Sequence, residues 1–451
     1  MFFKPLLASL FIGLPHLANA QEMRIPIDQA PRAVEQLLAQ GHARAALEIA
    51  VAAQKVSPNN PNFLIALART QLALGNFDAA IAAGTAAWGY APNDQIRFVA
   101  ADTVAAAHFK AGNFSRSQFW LRRAREFAPN QALANRIAKD FGTVRAANPW
   151  STSFRIGAAP SSNINNGSAN ATASLFGFPG EFTLNGEARA LSGYQISASL
   201  NTSYRLSQSA TASTFFTAGA DAQTYTLSSA AQEQAPDASG ADYATSNASV
   251  GLRHTLIFKD GWEPTNFTFK TGKTWSAGKQ NTTYTEASLS QAFVINPQNT
   301  LVTSFNTRRR NSLTDQPVVD SYNLAASLRQ TYANKDSFAF GVTLSRSKSD
   351  MPDSDYSAVK LSGNYYVAKP IAGMRFGFGL DAEQRKFDAS IYNPGPREDR
   401  SATARLSVEF SQVEFYGFRP VMNIEATRNL STVDLFDRDY SSIGFDLRSS
   451  F

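Results

Sequence analysis

From residue 151 onward the chain alternates apolar and polar side chains with a period of two. In its last stretch Ile443, Phe445 and Leu447 share one parity, while Gly444, Asp446 and Arg448 share the other, the spacing of a strand with one apolar and one charged face. Met374, Phe376, Phe378 and Leu380 alternate in the same way with Arg375, Gly377, Gly379 and Asp381. Ala402, Ala404, Leu406, Val408 and Phe410 likewise oppose Arg405, Ser407 and Glu409. A buried sheet would not place charges at these positions; a strand between lipid and a polar lumen would. The same reading along the chain predicts about fourteen strands, from 151–159 through 439–451, long enough for the ~9 to 11 residues that cross a hydrocarbon core.

The predicted connections also alternate. Short turns are expected at 207–210, 259–263, 296–298, 333–336, 369–371 and 412–416, and longer ones at 160–193, 224–242, 310–319, 387–399 and 429–438. Short turns on one rim and long loops on the other are the pattern of a transmembrane barrel, and they separate that reading from a soluble two-sheet sandwich. With an even strand number both ends of the barrel segment lie on the short-turn rim. That makes the preceding region and Phe451 periplasmic. Trp150, Tyr204, Trp262, Tyr332, Tyr366 and Tyr416 are expected near the same rim as an aromatic girdle.

Before residue 150 the period changes. Gly41, Gly75 and Gly112 are spaced by 34 and 37 residues, and Pro58, Pro92 and Pro129 each follow 17 residues after their glycine. This is the tetratricopeptide spacing: the glycine ends the first helix of a pair and the proline stops the second. Ala46, Ala80 and Ser117 lie five positions after each glycine, where two helices cross closely. Helices are predicted at about 62–74, 77–90, 95–111 and 114–127, with a capping helix at 131–145. The expected fold class is therefore α + β in two domains, a helical tetratricopeptide solenoid at 21–147 and an antiparallel barrel at 148–451, with Asn148-Pro149 at the boundary.

Residues 1–20 read as an export signal, with Lys4 before the apolar run Leu6 to Leu14 and Ala18-Asn19-Ala20 as the cleavage site. No later stretch approaches the ~18 apolar residues of a membrane helix. The chain has no cysteine, which excludes disulfides, a lipoprotein anchor and cysteine metal sites. A net charge of +6, not gathered into long basic blocks, gives no reason to expect nucleic-acid binding.

No catalytic constellation is apparent, and no cofactor or metal is expected. His254 is the only histidine after residue 150, and its expected place is the lumen wall or an interface. The pairs Asp353 with Asp355 and Glu398 with Asp399 fall in predicted outer loops and read as solvated charge, and Arg308-Arg309-Arg310 at the outer rim suits lipopolysaccharide phosphates.

The layout resembles Slam, the surface lipoprotein assembly modulator family. The residues that carry the resemblance are Asn148-Pro149-Trp150, the run Ala159-Pro160-Ser161-Ser162-Asn163-Ile164-Asn165-Asn166, then Arg419-Pro420 and Arg428-Asn429-Leu430-Ser431. The aromatic end of the last strand is similar to the targeting strand of bacterial outer-membrane barrels. The resemblance implies a translocator that carries a client protein, often lipid-anchored, across the outer membrane, with the barrel-assembly machinery as a partner during biogenesis. An exporter of secreted polysaccharide and a passive porin are the alternatives. The candidate client groove is Trp88, Tyr90, Phe98, Phe119 and Trp120, any of which could instead be helix core. The candidate transport wall is the inward parity of the last four strands: Arg375, Asp381, Glu383, Arg385, Arg405, Glu409, Arg419, Glu425, Asp446 and Arg448. Such charges could equally serve only to knit the barrel wall.

Overall fold

The computed structural model describes residues 25–259, 262–314 and 316–449; the export signal and Phe451 lie outside the described residues. The chain forms two compact units that divide between Asn113 and Phe114.

The first unit holds helices α1 (Ala30–Ala39), α2 (Ala43–Val56), α3 (Pro61–Ala73), α4 (Phe77–Gly89) and α5 (Asp94–Lys110). The repeat glycines end α1, α3 and α5 as the spacing predicted, with φ near +80° at Gly41 and Gly75 and +75° at Gly112. In that left-handed conformation the residue after each glycine reaches back to cap the helix. His42 N bonds Leu37 O at 2.8 Å, Asn76 N bonds Gln71 O at 2.9 Å, and Asn113 N bonds His108 O at 2.8 Å. Ala46 and Ala80 are fully buried, and Val34 packs with Ala46, Ala50 and Ala66 across three helices. Small side chains at these crossings let the backbones approach, which explains an alanine-rich core. Among the described residues no helix is long and apolar enough to cross a membrane.

The second unit begins with α6 (Phe114–Glu126) and α7 (Gln131–Ala147) and continues into a closed antiparallel barrel of fourteen strands. These are β1 (Trp150–Ser161), β2 (Gly193–Gln208), β3 (Ala212–Leu227), β4 (Thr245–Leu256), β5 (Thr265–Ser276), β6 (Lys279–Asn296), β7 (Asn299–Ser312), β8 (Val319–Thr331), β9 (Ser337–Lys348), β10 (Tyr356–Tyr366), β11 (Met374–Phe387), β12 (Arg397–Phe410), β13 (Phe418–Ser431) and β14 (Arg438–Ser449). Each strand pairs with its neighbours in sequence, and β1 meets β14. Large apolar side chains stand out from the ring: Leu344, Phe378, Leu380, Phe445 and Leu447 are 48–62 % exposed. Charged residues of the opposite parity form ion pairs inside it, so the side exposed to lipid is apolar and the lumen polar.

Two connections differ from expectation, and a third is a tight turn on the long-loop rim. β5 and β6 pair to their tips across a two-residue turn, Ala277-Gly278. β3 continues to Leu227, which shortens the loop predicted at 224–242. β12 starts at Arg397, so Glu398 and Asp399 are strand residues rather than solvated loop charge. The reason is Arg397 itself: its guanidinium lies between the rings of Phe387 and Phe436, at 3.7 and 3.8 Å from their centroids, and binds Asp353 at 2.5 Å and Asp399 at 3.2 Å.

The long-loop rim carries a packed cap. Residues 162–192 lie across the other loops, with Ala173 and Leu175 against Val433, Tyr392 and Phe436. Ile164 and Leu191 pack on Ala231, Ala235 and Ala238 of the loop after β3. The asparagines of the Pro160–Asn166 run hold its base. Asn163 bonds Gly167 N and O, both at 2.9 Å, while Asn165 accepts from Leu191 N and donates to Glu187 O and Arg189 O. Those asparagines satisfy loop backbone that has no sheet partner.

Candidate functional site

All ten residues of the candidate wall share one face of β11–β14, because direct register partners lie on the same side of a sheet. Arg375 opposes Glu409, Gly379 opposes Arg405, and Arg405 opposes Glu425; Val421 joins Glu409 to Asp446, and Arg419 opposes Arg448. Side-chain reach then decides which charges meet. Glu409 is a hub, with Arg375 at 3.5 Å, Arg419 at 3.6 Å and Arg448 at 3.4 Å. Asp381, 5 % exposed, is held by Arg405 and by Lys360 at 2.9 Å. Arg405 thus bonds a residue diagonal to it rather than Glu425. Glu383 is bound by Arg385 of its own strand at 2.5 Å, and Asp446 accepts from Asn423 Nδ2 at 2.9 Å. A cavity of about 470 Å3 runs along Arg375, Arg405, Glu409, Asn423, Glu425 and Arg448. A second, of about 270 Å3, lies where the cap residues Asn163 and Asn166 meet Glu383, Arg385, Asp399 and Arg438.

The lumen charge extends beyond these four strands. Glu286 on β6 binds Lys270 of β5 at 3.0 Å and Arg308 of β7 at 3.5 Å. Arg308 lies over the Tyr284 ring at 3.9 Å, whereas Arg309 has the other parity and pairs with Asp320. The arginine run is therefore not a single outer-rim patch. Neither Lys270 nor Lys360 was marked by alternation, which gives the face of a residue but not its neighbour across the sheet. His254 Nδ1 lies 2.9 Å from Thr214 Oγ1. Among the described residues there is no cluster of three His, Asp or Glu side chains suited to a metal.

Helices α6 and α7 are built into the short-turn rim. Tyr416 and Gly417, with φ of 48° and 74°, form a two-residue turn between Phe415 and Phe418 in the connection from β12 to β13, and helix side chains hold that strained turn from outside. Glu126 accepts from Tyr416 N at 2.6 Å, and Arg122 Nη1 donates to Gly417 O at 3.1 Å while its guanidinium covers the Phe418 ring at 4.5 Å. Burial, and then the nearby Arg145 and Arg125, lower the Arg122 pKa to about 10, so it remains charged at neutral pH. Arg125 binds Glu414 at 2.6 Å, and Glu414 also binds Arg419 at 2.9 Å. A line of charges thus runs from α6 through Glu414 and Arg419 to the Glu409 hub. At the other side of the dock Arg205 donates to Ala146 O and Ala147 O, the end of α7, and Trp150 packs on Tyr204 at 4.7 Å.

The candidate groove residues divide between the units. In the first, Trp88 packs with Ile96 and Val99 against Leu64 and Ala100, Phe98 is buried at 6 % exposure, and Tyr90 is 51 % exposed. In the second, Phe119 is 50 % exposed and stands edge-on to Trp120 at 6.1 Å, with the Arg123 guanidinium 3.6 Å from the Phe119 ring.

A tetratricopeptide repeat model matches residues 37–101. No curated protein matches the sequence. Among solved structures, the first TPR domain of human RPAP3 is 17% identical, over 27% of this chain and 93% of that one, with a TM-score of 0.24. Acinetobacter baumannii OccAB3 is 9% identical over 66% and 98%, with a TM-score of 0.34. A loop-deletion mutant of OmpT, an outer membrane protein of Vibrio cholerae, is 10% identical over 67% and 99%, with a TM-score of 0.31. Scores at this level carry no argument; the barrel reading rests on this chain's own closed ring, its apolar exterior and its loop asymmetry.

Glu409→Gln is expected to destabilise the refolded barrel by about 1–2 kcal/mol, because three partly exposed guanidiniums lose their shared anion, and Glu383→Gln, which releases only Arg385, by about 0.5 kcal/mol. Denaturant midpoints of the two variants check the order. If the wall also serves transport, folded barrel persists in both while transport falls; unchanged transport with intact barrel would remove these residues from the transport surface.

Proposed function

We propose that this chain is an outer-membrane translocator whose helical repeats receive a client polypeptide in the periplasm and whose barrel delivers it to the cell surface, without catalysis. The observation that carries the reading is the dock. Helices α6 and α7 are tied to the barrel rim by Glu126, Arg122 and Arg125, and the tetratricopeptide repeats at residues 37–101 precede them in the chain. A porin would not need the dock. The resemblance to the Slam family supports the same reading and favours a lipid-anchored or secreted client. The packed cap supports regulated passage over a permanently open pore, and Arg309, outside the lumen parity, is the candidate contact for lipopolysaccharide phosphates. Export of a secreted polysaccharide is the second reading; the mixed charge of the wall disfavours it, since opposite signs neutralise one another at the Glu409 and Asp381 hubs.

Removing residues 30–113 tests the receiving role while sparing α6 and α7, which belong to the barrel unit. The variant is expected to remain a heat-modifiable barrel and to lose surface delivery of a co-expressed surface lipoprotein. Undiminished delivery would contradict the receiving role and return the chain to the porin reading.

A further inference from the structure

Arg438, the first residue of β14, is a half-buried lumen-side arginine. Its register partner is Asn429 of β13, and the row continues through Ser401 of β12 to Glu383 of β11. Three strand spacings, about 14 Å, therefore separate the cation of that row from its anion, with two short side chains between them. The other carboxylates nearby are already engaged. Asp437 accepts from Ser431 N at 2.6 Å and from Asn170 Nδ2 at 3.2 Å, Asp399 is held by Arg397 and by Ser431 Oγ, and Glu383 is held by Arg385. Among the described residues, Arg308, Arg397, Arg419 and Arg438 each have a buried Nε without a hydrogen bond. The first three are paired with carboxylates at 3.5, 2.5 and 2.9 Å, whereas Arg438 is paired with none and has the Phe436 ring at 5.5 Å. Arg397 and Arg385 repel it, and Asp399 attracts it.

The short side chains between Glu383 and Arg438 leave a hollow. The cavity of about 270 Å3 under the cap is lined by Ser401 and Thr427 of the two central strands and by Arg438 and Tyr440 of β14. Asn166 closes it from the cap at a φ of 56°, a left-handed conformation that asparagine tolerates better than most residues. Around Arg438 the lining offers donors: its own guanidinium, the Asn166 amide and the hydroxyls of Ser401 and Tyr440. A guanidinium drawn partly out of water without a counter-charge is unfavourable until an acceptor of opposite sign reaches it. One negative charge suits the cavity better than two, because Glu383 and Asp399 also line it and would repel a dianion. A carboxylate matches the fork of a guanidinium, and a space smaller than an ordinary ligand pocket suits a short side chain better than a sugar ring.

We infer that this cavity binds a single carboxylate, presented by an acidic side chain of the transported polypeptide, and that the bound group ties the cap to the wall through Asn166 and Arg438. That the carboxylate belongs to a polypeptide rests on the translocator reading; that the cavity takes one rests on Arg438 and its surroundings alone.

The test uses the full chain in detergent micelles and follows tryptic cleavage at Arg189 in the cap. The probes are N-acetylglutamate amide, its uncharged counterpart N-acetylglutamine amide, and inorganic phosphate, all at equal ionic strength. A ligand that binds only the closed cap stabilises it in proportion to its concentration, so the glutamate compound at about ten times its dissociation constant should slow cleavage about tenfold. The glutamine compound should leave the rate unchanged. Arg438→Gln is expected to remove the protection, and Arg438→Lys to retain part of it, since lysine keeps the charge and loses the two-pronged donor. No protection by the glutamate compound, equal protection by the glutamine compound, or full protection in a heat-modifiable Arg438→Gln barrel would overturn the site. If neither variant gives heat-modifiable barrel, the comparison of the two compounds on the unaltered chain still decides. Phosphate that protects as strongly as the glutamate compound would overturn the assignment to a single carboxylate. In cells, Arg438→Gln is expected to lower surface delivery of a co-expressed surface lipoprotein several-fold per folded barrel. Protection that depends on Arg438 together with unchanged delivery in that variant would overturn the polypeptide as the source and leave a site for a free carboxylate. The same protection with delivery undiminished after removal of residues 30–113 would sink the translocator reading and leave the site standing.

Discussion

Truncation before Tyr440 is expected to leave no membrane-inserted barrel. The lost strand is paired with β13 from end to end and closes the ring against β1, so its removal bares the full edge of β13 and the facing edge of β1. About a dozen backbone groups would then face hydrocarbon without partners, at several kcal/mol each, a cost of tens of kcal/mol that no side-chain rearrangement offsets. Water would accept those groups, which is why the truncated chain should remain in the aqueous or aggregated fraction. Refolding into lipid vesicles, followed by protease digestion and electrophoresis with and without heating, reads the outcome. A protease-protected, heat-modifiable species from the truncated chain would show that β14 is dispensable for closure.

Arg397→Met is expected to cost about 3–5 kcal/mol and to loosen the cap before the barrel unfolds, because the substitution strands two carboxylates that are almost as buried as the arginine. The side chain of Arg397 is 5% exposed, and those of Asp353 and Asp399 are 13% and 10% exposed. Asp353 also accepts from Ser390 Oγ at 2.8 Å and Ile391 N at 3.1 Å, and Asp399 from Ser431 Oγ at 2.7 Å. One cation therefore joins the loops after β9, β11 and β13. Lysine should not rescue it: a single ammonium cannot lie flat between Phe387 and Phe436 while reaching both carboxylates. The measurement is a urea titration of the refolded barrel, read in parallel by tryptic cleavage at Arg189 in the cap. The cleavage midpoint should fall more than the barrel midpoint, and equal midpoints in variant and parent would contradict the role given to Arg397.

What was legible in the sequence follows from how far each signal reaches. The glycine and proline spacing located α3 to α7 to within a few residues, because a left-handed glycine cap and a proline stop act over one or two helical turns. The period of two located the strands and put all ten wall residues on one parity, because the side of a strand that a residue faces depends only on its immediate neighbours. The groove aromatics were a weaker reading: an aromatic on a repeat helix looks the same in sequence whether it is buried like Phe98 or exposed like Phe119.

The sequence alone determined the two-part architecture, the strand number, the asymmetry of turns and loops, and the polar lumen, all of which are local periodicities and connection lengths. Only the tertiary structure decided which charges meet. Arg125 finds Glu414 across 289 residues, Asp381 takes Lys360 and Arg405 from two neighbouring strands, and Arg397 joins Asp353 of the loop after β9 to Asp399 of its own strand. Each of these depends on cross-strand register and loop packing, which no short window of sequence carries.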